Sequence, residues 1–226
     1  MTARRSFVVA IDGPAASGKG TLARRLAERF ALAHLDSGKL YRATALLVLA
    51  EGANPADRSA AVAAARRISP AVLDDPQLAS EAVARASSIL SALPAVRDAL
   101  LAMQRDFAAH PPAAADSSRP RGAVLDGRDI GTVVCPDAAV KLFVTASPEA
   151  RAARRAKELR ERGAAAIYRD VLQDMKERDA RDSSRRVAPL AAAPDAVIID
   201  TTRLDADRVF ERASDIIARA LAAYRR

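Results

Sequence analysis

The chain of 226 residues holds one cysteine, two histidines and no tryptophan. Cys135 alone cannot form an internal disulfide, so a disulfide-built scaffold is excluded and a reducing, cytoplasmic setting is expected. The cysteine itself reads as a small buried hydrophobe with no partner to make it a nucleophile. His34 and His110 lie far from each other and from Cys135, so no metal-ligand spacing exists. Five Phe and three Tyr are few for the stacking platforms that hold single-stranded nucleic acid. No segment approaches the ~20 apolar residues of a membrane helix. The first residues, MTARRSFVVAIDGP, carry an apolar run too short for a signal peptide, and it passes directly into a glycine turn. The guanine-specificity pattern N-K-x-D is missing as well. These absences leave the expectation of a cytoplasmic protein with neither membrane nor nucleic-acid partner.

Apolar residues and positive charge are abundant. Half of the residues are apolar, enough for a sizeable core. Net charge is +8, from 36 Lys+Arg against 28 Asp+Glu. Such a balance suits an anionic partner: nucleic acid, an acidic membrane or a phosphorylated small molecule. Its location discriminates. Residues 145–186 carry ten Arg and two Lys against eight acids, a net of +4. Basic and acidic residues alternate there, as in a folded, arginine-studded lid or a solvated helix pair laced by i,i+4 ion pairs.

Five short apolar runs alternate with helical stretches: FVVAID (7–12), AHLD (33–36), AVLD (123–126), VKLFVT (140–145) and AVIID (196–200). Runs of this length between helices predict a parallel sheet covered on both faces. Four of them end in Asp, and in such sheets ligands bind outside the carboxyl ends of the strands. Leu22, Leu26 and Phe30 predict an amphipathic helix behind the first strand. KLYRATALLVLAEG predicts a second, stopped at Gly52. Val209, Ala213, Ile216, Ile217, Ala220 and Leu221 share one face of a C-terminal helix that runs out into Arg225 and Arg226. Residues 54–107 show no strand and read as alanine-rich helices broken at Pro70, Pro76 and Pro94. Residues 108–122 read as a Pro-, Ala- and Ser-rich loop. The expected division is a core of 1–53, 108–147 and 188–226, an insert of 54–107 and a charged segment of 148–187.

Between the first strand and the first helix stands GPAASGKGT: Gly13, Pro14, Ala15, Ala16, Ser17, Gly18, Lys19, Gly20 and Thr21. Strand, glycine turn, Gly-Lys and helix together form the context of a phosphate-binding loop. The glycines let backbone N–H groups converge on one anion, Lys19 adds a point charge, and the helix N-terminus adds its partial positive charge. The pattern departs from G-x-x-x-x-G-K-[ST] at Gly20, where a hydroxyl would hold Mg²⁺. Two readings follow. The metal is held by nucleotide phosphates and water, with Asp126 or Asp36 behind the water, or the loop binds phosphate without catalysis.

GKGT is the form seen in nucleoside monophosphate kinases, and three further stretches narrow the resemblance. DSGKLYR (36–42), DGRDIGT (126–132) and KERDARDSSRRVAPL (176–190), in this order, make the chain similar to bacterial cytidylate kinases from Phe7 to the last helix. The resemblance implies an α/β P-loop kinase fold: a five-stranded parallel sheet flanked by helices, with a helical NMP-binding insert and a helical lid. It implies an ATP-dependent transfer to CMP or dCMP, with ATP as co-substrate, Mg²⁺ held without a direct protein ligand and Asp126 in its outer shell. By the family pattern, Lys19, Arg128, Arg178 and Arg181 act on the transferred group. Arg42, Arg128 and Arg185 hold phosphate, while Arg151, Arg155, Arg178 and Arg181 close over ATP or the phosphoryl group. Arginine suits both tasks because its guanidinium forks onto phosphate oxygens. Asp129, with Ser88 and Arg97, reads the cytosine edge; Asp182 contacts the pentose; Ser37 and Tyr41 line the same pocket.

One stretch departs from that pattern. Many members carry a longer insert with short strands, whereas ARRISPAVLDDPQLASEAV is much shortened here. A kinase for UMP or AMP would share the loop and lid but differ at Asp129, Ser88 and Arg97. A phosphate-loop switch or a nucleic-acid ATPase would need a conformational relay or an exposed basic face, and a catalytically dead scaffold would lack some of the charges present. A monomer is expected, since no long uncovered apolar face is evident.

Overall fold

The structure is a computed structural model and describes residues 6–113 and 118–224. The expected arginine end of the last helix, at Arg225 and Arg226, and part of the 108–122 loop lie outside the described residues. In chain order the elements are β1 (Phe7–Asp12), α1 (Lys19–Phe30), β2 (Ala33–Asp36), α2 (Ser37–Ala50), α3 (Arg58–Ala65) and α4 (Pro70–Leu73). A 3₁₀ turn (Pro76–Ala79), α5 (Glu81–Leu90), α6 (Pro94–Ala109), β3 (Gly122–Gly127) and a π-helical turn (Ile130–Val134) follow. The chain then runs through β4 (Val140–Thr145), α7 (Pro148–Glu161), α8 (Tyr168–Ser183), β5 (Val197–Asp200) and α9 (Ala206–Tyr224).

Two compact units emerge: residues 1–35 with 108–226, and residues 36–107. The first holds the five-stranded sheet, ordered β2-β3-β1-β4-β5. β1 pairs in parallel with β3 and β4, and β4 with β5. Parallel strands need crossovers, and the helices between them supply these. Phe7, Val9 and Ile11 of β1, with Val140, Leu142 and Val144 of β4 and Ile199 of β5, turn one face toward Leu22 and Leu26 of α1 and Val209, Ala213 and Ile217 of α9. Alternate residues share a strand face, whereas α1 and α9 present every third or fourth residue. The π turn between β3 and β4 lies at the end of the sheet where Asp12 and Asp200 close their strands and Asp126 stands one residue before the end of β3.

The second unit is all-helical. α2 packs against α5 and α3, with Leu40, Val48, Ala61, Ala65, Val83 and Leu90 buried. Pro70, Pro76 and Pro94 each stand at the first residue of a helical segment, where a missing N–H costs nothing. The breaks read from the sequence are therefore helix starts. Gly52 follows the end of α2 at φ 66°, and Gly52 and Ala53 donate back to Leu49 and Val48 carbonyls, closing the helix as expected. The unit begins at Asp36, so α2 belongs to it, not to the core as the expected division at residue 54 has it. Asp36 caps α2 through the Lys39 N–H. Among the described residues no single helix is long and apolar enough to cross a membrane; α5 and α6 pass only as a pair, bent by 101°.

Candidate active site

The loop from Gly13 to Gly18 is shaped by backbone angles that side chains resist. Gly13 has φ 152°, and a Cβ there would lie 2.0 Å from the Val144 carbonyl oxygen. Ala16 and Gly18 are left-handed, at φ 56° and 90°. Gly18 begins α1 without any capping side chain, and a Cβ on it would meet nothing within 4 Å. The Ser17 hydroxyl is buried with no hydrogen-bond partner among the described residues. Lys19 lies along the loop, its Nζ 3.4 Å from the Pro14 carbonyl. Open space, uncapped N–H groups and a lysine fit a polyphosphate, by the general logic of anion binding at a helix N-terminus.

Gly20 answers the question of the missing hydroxyl. A Cβ at this position would have one close neighbour, Asp126 Oδ2, at 3.8 Å. Nothing steric therefore excludes a serine. What faces the position is a carboxylate, 3 % exposed, whose Oδ1 pairs with His34 Nε2 at 2.8 Å. No group of three metal-ligating side chains occurs among the described residues. This donor set fits a cation held chiefly by phosphate and water, with Asp126 accepting from a water. Gly20→Ser is expected to leave the unfolding free energy within about 0.5 kcal/mol of wild type, measured by urea unfolding. A loss well beyond about 1 kcal/mol would show that the space beside Asp126 is closed.

Asp12 was not singled out from the sequence beyond ending a strand. It is 4 % exposed and accepts from the Ile130 and Gly131 N–H groups at 2.8 and 2.7 Å. Burial pushes its carboxyl up from an ordinary 3.8 to about 6, against the two N–H bonds and Lys19; Asp129 pushes the same way as burial. A raised carboxyl favours the fold most below its unfolded value, and the benefit fades as pH climbs through about 6. Between about pH 3 and about pH 7 the stability difference between Asp12→Asn and wild type should therefore move about 3 kcal/mol in the variant's favour. Denaturant melts of both proteins across that range check this; a flat difference would contradict it.

Arg128 and Arg185, both half-buried, form one cluster around the buried Asp182 carboxylate. Arg128 donates through Nε to Asp182 Oδ2 at 2.9 Å, and Arg185 donates to Asp182 Oδ1. Asp182 is 2 % exposed. Burial alone would raise its carboxyl, but the charges of Arg128, Arg185 and Arg178 outweigh it and hold the group below the usual range. The resemblance gave Asp182 to the pentose; its surroundings make it first a hub that fixes two arginines. Arg181, on the same helix, is exposed, and Asp129 is buried.

Arg151 was expected to close over ATP. Its side chain is 4 % exposed and forks onto Asp179 of α8 at 3.2 and 2.6 Å. It also donates to the Ala146 carbonyl and to the Ala15 carbonyl of the phosphate loop. Arg151 thus ties α7, α8 and the loop together, and Asp179 is a partner the sequence reading missed. Arg155 pairs with Glu158 at 3.0 Å. Arg154 and Thr201 were missed too. Arg154 bonds the Thr201 hydroxyl, which in turn bonds the Ser17 carbonyl, joining the β5 end to the loop.

In the helical unit, Arg42 pairs with Asp36 at 2.6 Å, and Arg97 lies over the Tyr41 ring at 5.5 Å while donating to the Ser91 carbonyl. Ser37, Ser88 and Arg97 are buried. Tyr41, half-buried under a guanidinium, is neither plain core nor plain surface.

The chain is similar to known proteins. The family model described as cytidylate kinase matches residues 9–219. The chain belongs to the cytidylate kinase family. A cytidylate kinase of Rhodospirillum rubrum is 58% identical over 212 residues, covering 94% of this chain and 97% of that protein. One from Methylocella silvestris is 55% identical over 214 residues, 95% of each chain. Among solved structures, a gluconokinase from Sinorhizobium meliloti superposes with a TM-score of 0.50 at 14% identity over 98% of both chains, a likeness of fold alone. The parallel α/β architecture read from the strands is thus shown, and so are the kinase fold and cytidylate kinase membership implied by GKGT, DSGKLYR, DGRDIGT and KERDARD.

Proposed function

We propose that this protein transfers the γ-phosphoryl group of ATP to CMP and dCMP, giving ADP with CDP and dCDP. The observation that carries this is the family match along residues 9–219, on a chain whose GKGT loop has the open, uncapped conformation a polyphosphate requires. A phosphate oxygen of the acceptor attacks the γ-phosphorus, and the bond to the β–γ bridging oxygen breaks as ADP leaves. The attacking oxygen is already anionic, so no general base is needed. Catalysis is then positioning and charge neutralisation. Lys19 sits on the β- and γ-phosphates. Arg128, Arg178, Arg181 and Arg185 take up charge on the transferred group and the acceptor phosphate. Arg42 holds the acceptor phosphate as well. Asp126 would hold Mg²⁺ through a water, and the bound ion would supply further neutralisation of the phosphate charge.

Base choice falls to Asp129 with Ser88 and Arg97. A carboxylate accepts from the cytosine amino group and faces the uracil carbonyl without a proton between them; such a mismatch costs about 1–3 kcal/mol. Asp182 and the adjoining arginines contact the pentose side. The helical unit of residues 36–107 serves as the acceptor-binding part and 148–187 as a lid that excludes water from the reaction. The protein works as a monomer in the cytoplasm, without nucleic-acid or membrane partners.

The test is ADP formation from ATP and Mg²⁺ with CMP, dCMP, UMP, AMP and GMP offered singly. A response to CMP and dCMP well above the others is expected. Activity centred on UMP or AMP would overturn the assignment of base recognition.

A further inference from the structure

Asp12 ends β1 one residue before the phosphate loop, yet both of its oxygens are engaged far along the chain. They accept from the N–H groups of Ile130 and Gly131, the first two residues of the π-helical turn. The residue that precedes this turn is Asp129, and its side chain makes no capping bond to it. A carboxylate from another strand therefore does the capping. The fit around it is close: a Cβ on Gly131 would meet the Lys141 stem at 3.2 Å and Asp12 Oδ2 at 3.4 Å. Gly127 and Phe143 stand opposite Asp12 on β3 and β4. The charged groups facing it are Asp129 and Lys19, with the Lys141 stem alongside.

We infer that Asp12 is a positioning residue for base recognition: it fixes the Ile130–Gly131 backbone and thereby the aim of the Asp129 carboxylate. The inference rests on the reading that Asp129 contacts the cytosine edge. A carboxylate suits the task because two adjacent N–H donors need two acceptors at one point. Asparagine offers one oxygen and turns an NH₂ donor toward the other N–H, so one bond is lost and replaced by repulsion. Glutamate keeps both acceptors but adds a methylene in a space already closed by Gly131 and Lys141. Because Asp12 adjoins the loop that holds ATP, its carboxylate also sets where the base-reading turn stands relative to the donor nucleotide.

The experiment compares Asp12→Asn, Asp12→Glu and Asp129→Asn with wild type at pH 8. Steady-state rates with CMP and with UMP at saturating ATP are combined with calorimetric titration of ATP alone. For Asp12→Asn the KM for CMP should rise, and the ratio of kcat/KM for CMP over UMP should fall about tenfold or more. ATP affinity should stay within about twofold, and the melting temperature should change little, the lost hydrogen bond being offset by removal of a buried charge. Asp12→Glu should recover part of the discrimination. A residue that only held the fold together would lower stability and ATP binding along with CMP binding. If Asp129→Asn loses discrimination while Asp12→Asn keeps it, the inference fails and the base-reading role of Asp129 stands. If Asp129→Asn keeps discrimination, the reading beneath the inference fails and takes the inference with it. Should Asp12→Asn not fold, amide exchange in the wild type decides. The Ile130 and Gly131 N–H groups should exchange about 10²-fold or more slowly than in an unstructured peptide. Free exchange at both would overturn the inference.

Discussion

Replacing Lys19 by methionine should lower kcat by about 10³-fold or more while leaving the protein folded. The lysine is half-buried and lies against the Pro14 carbonyl inside the loop, where its charge is only partly screened by water. Methionine matches its length and helix propensity, so α1 keeps its first turn. What is lost is the positive charge that meets oxygens becoming more negative as the γ-phosphoryl group departs. Because this charge matters more in the transition state than in the bound ground state, kcat should fall far more than ATP affinity. Rapid-quench or steady-state rates with CMP, alongside a thermal melt, check this. A loss confined to ATP affinity, with kcat kept, would mean that Lys19 binds nucleotide without assisting transfer.

Asp182→Asn carries the second large effect, this time on stability and activity together. Asp182 is buried with Arg128 and Arg185 bonded to its two oxygens and Arg178 nearby. Asparagine is nearly the same size but brings no charge, so the half-buried Arg128 and Arg185 guanidinium groups lose their shared carboxylate. Breaking a buried pair from one side costs about 3–5 kcal/mol. The effect has a defined pH dependence. The native carboxyl titrates below its ordinary 3.8, so its stabilisation is present above that value and disappears as pH falls through the lower native one. The variant should thus be much less stable than wild type at neutral pH and approach it in strong acid. Activity should fall by about 10²-fold or more, because Arg128 and Arg185, the arginines proposed for the phosphates, lose the carboxylate that fixes them. A variant of wild-type stability at neutral pH would show that the three charges do not act as one cluster.

Several elements were legible in the sequence for local reasons. Short apolar runs, most of them ending in Asp, give β1, β2, β4 and β5 to within a residue of their ends. The run AVLD also lies inside β3, which extends one residue further each way, to Gly122 and Gly127. Gly52 and the three prolines marked helix boundaries because their backbone demands act within one turn. The site was less legible wherever it depends on contacts across the fold. Asp12 reads as a strand-ending aspartate until the segment 118 residues later folds against it. The resemblance places Arg151 over ATP, whereas its bonding to Asp179 on the next helix could not be read from the sequence. The basic segment 145–186 showed the same ambiguity. It contains both i,i+4 pairs, Lys157–Glu161 and Arg162–Glu158, and the helix-to-helix pair Arg151–Asp179, which interleaved charge cannot distinguish. The placement of α2 in the helical unit was missed because its boundary follows packing with α5 and α3, not composition.

The central claim is that one phosphoryl group passes directly from ATP to CMP. Phosphorus NMR of a mixture of the protein, ATP, Mg²⁺ and CMP tests it most directly, because every product carries its own resonance. The account predicts CDP and ADP appearing in equal amounts, with no inorganic phosphate above the rate seen without CMP. Inorganic phosphate and ADP forming together while CMP stays unchanged would contradict it and make the protein an ATPase.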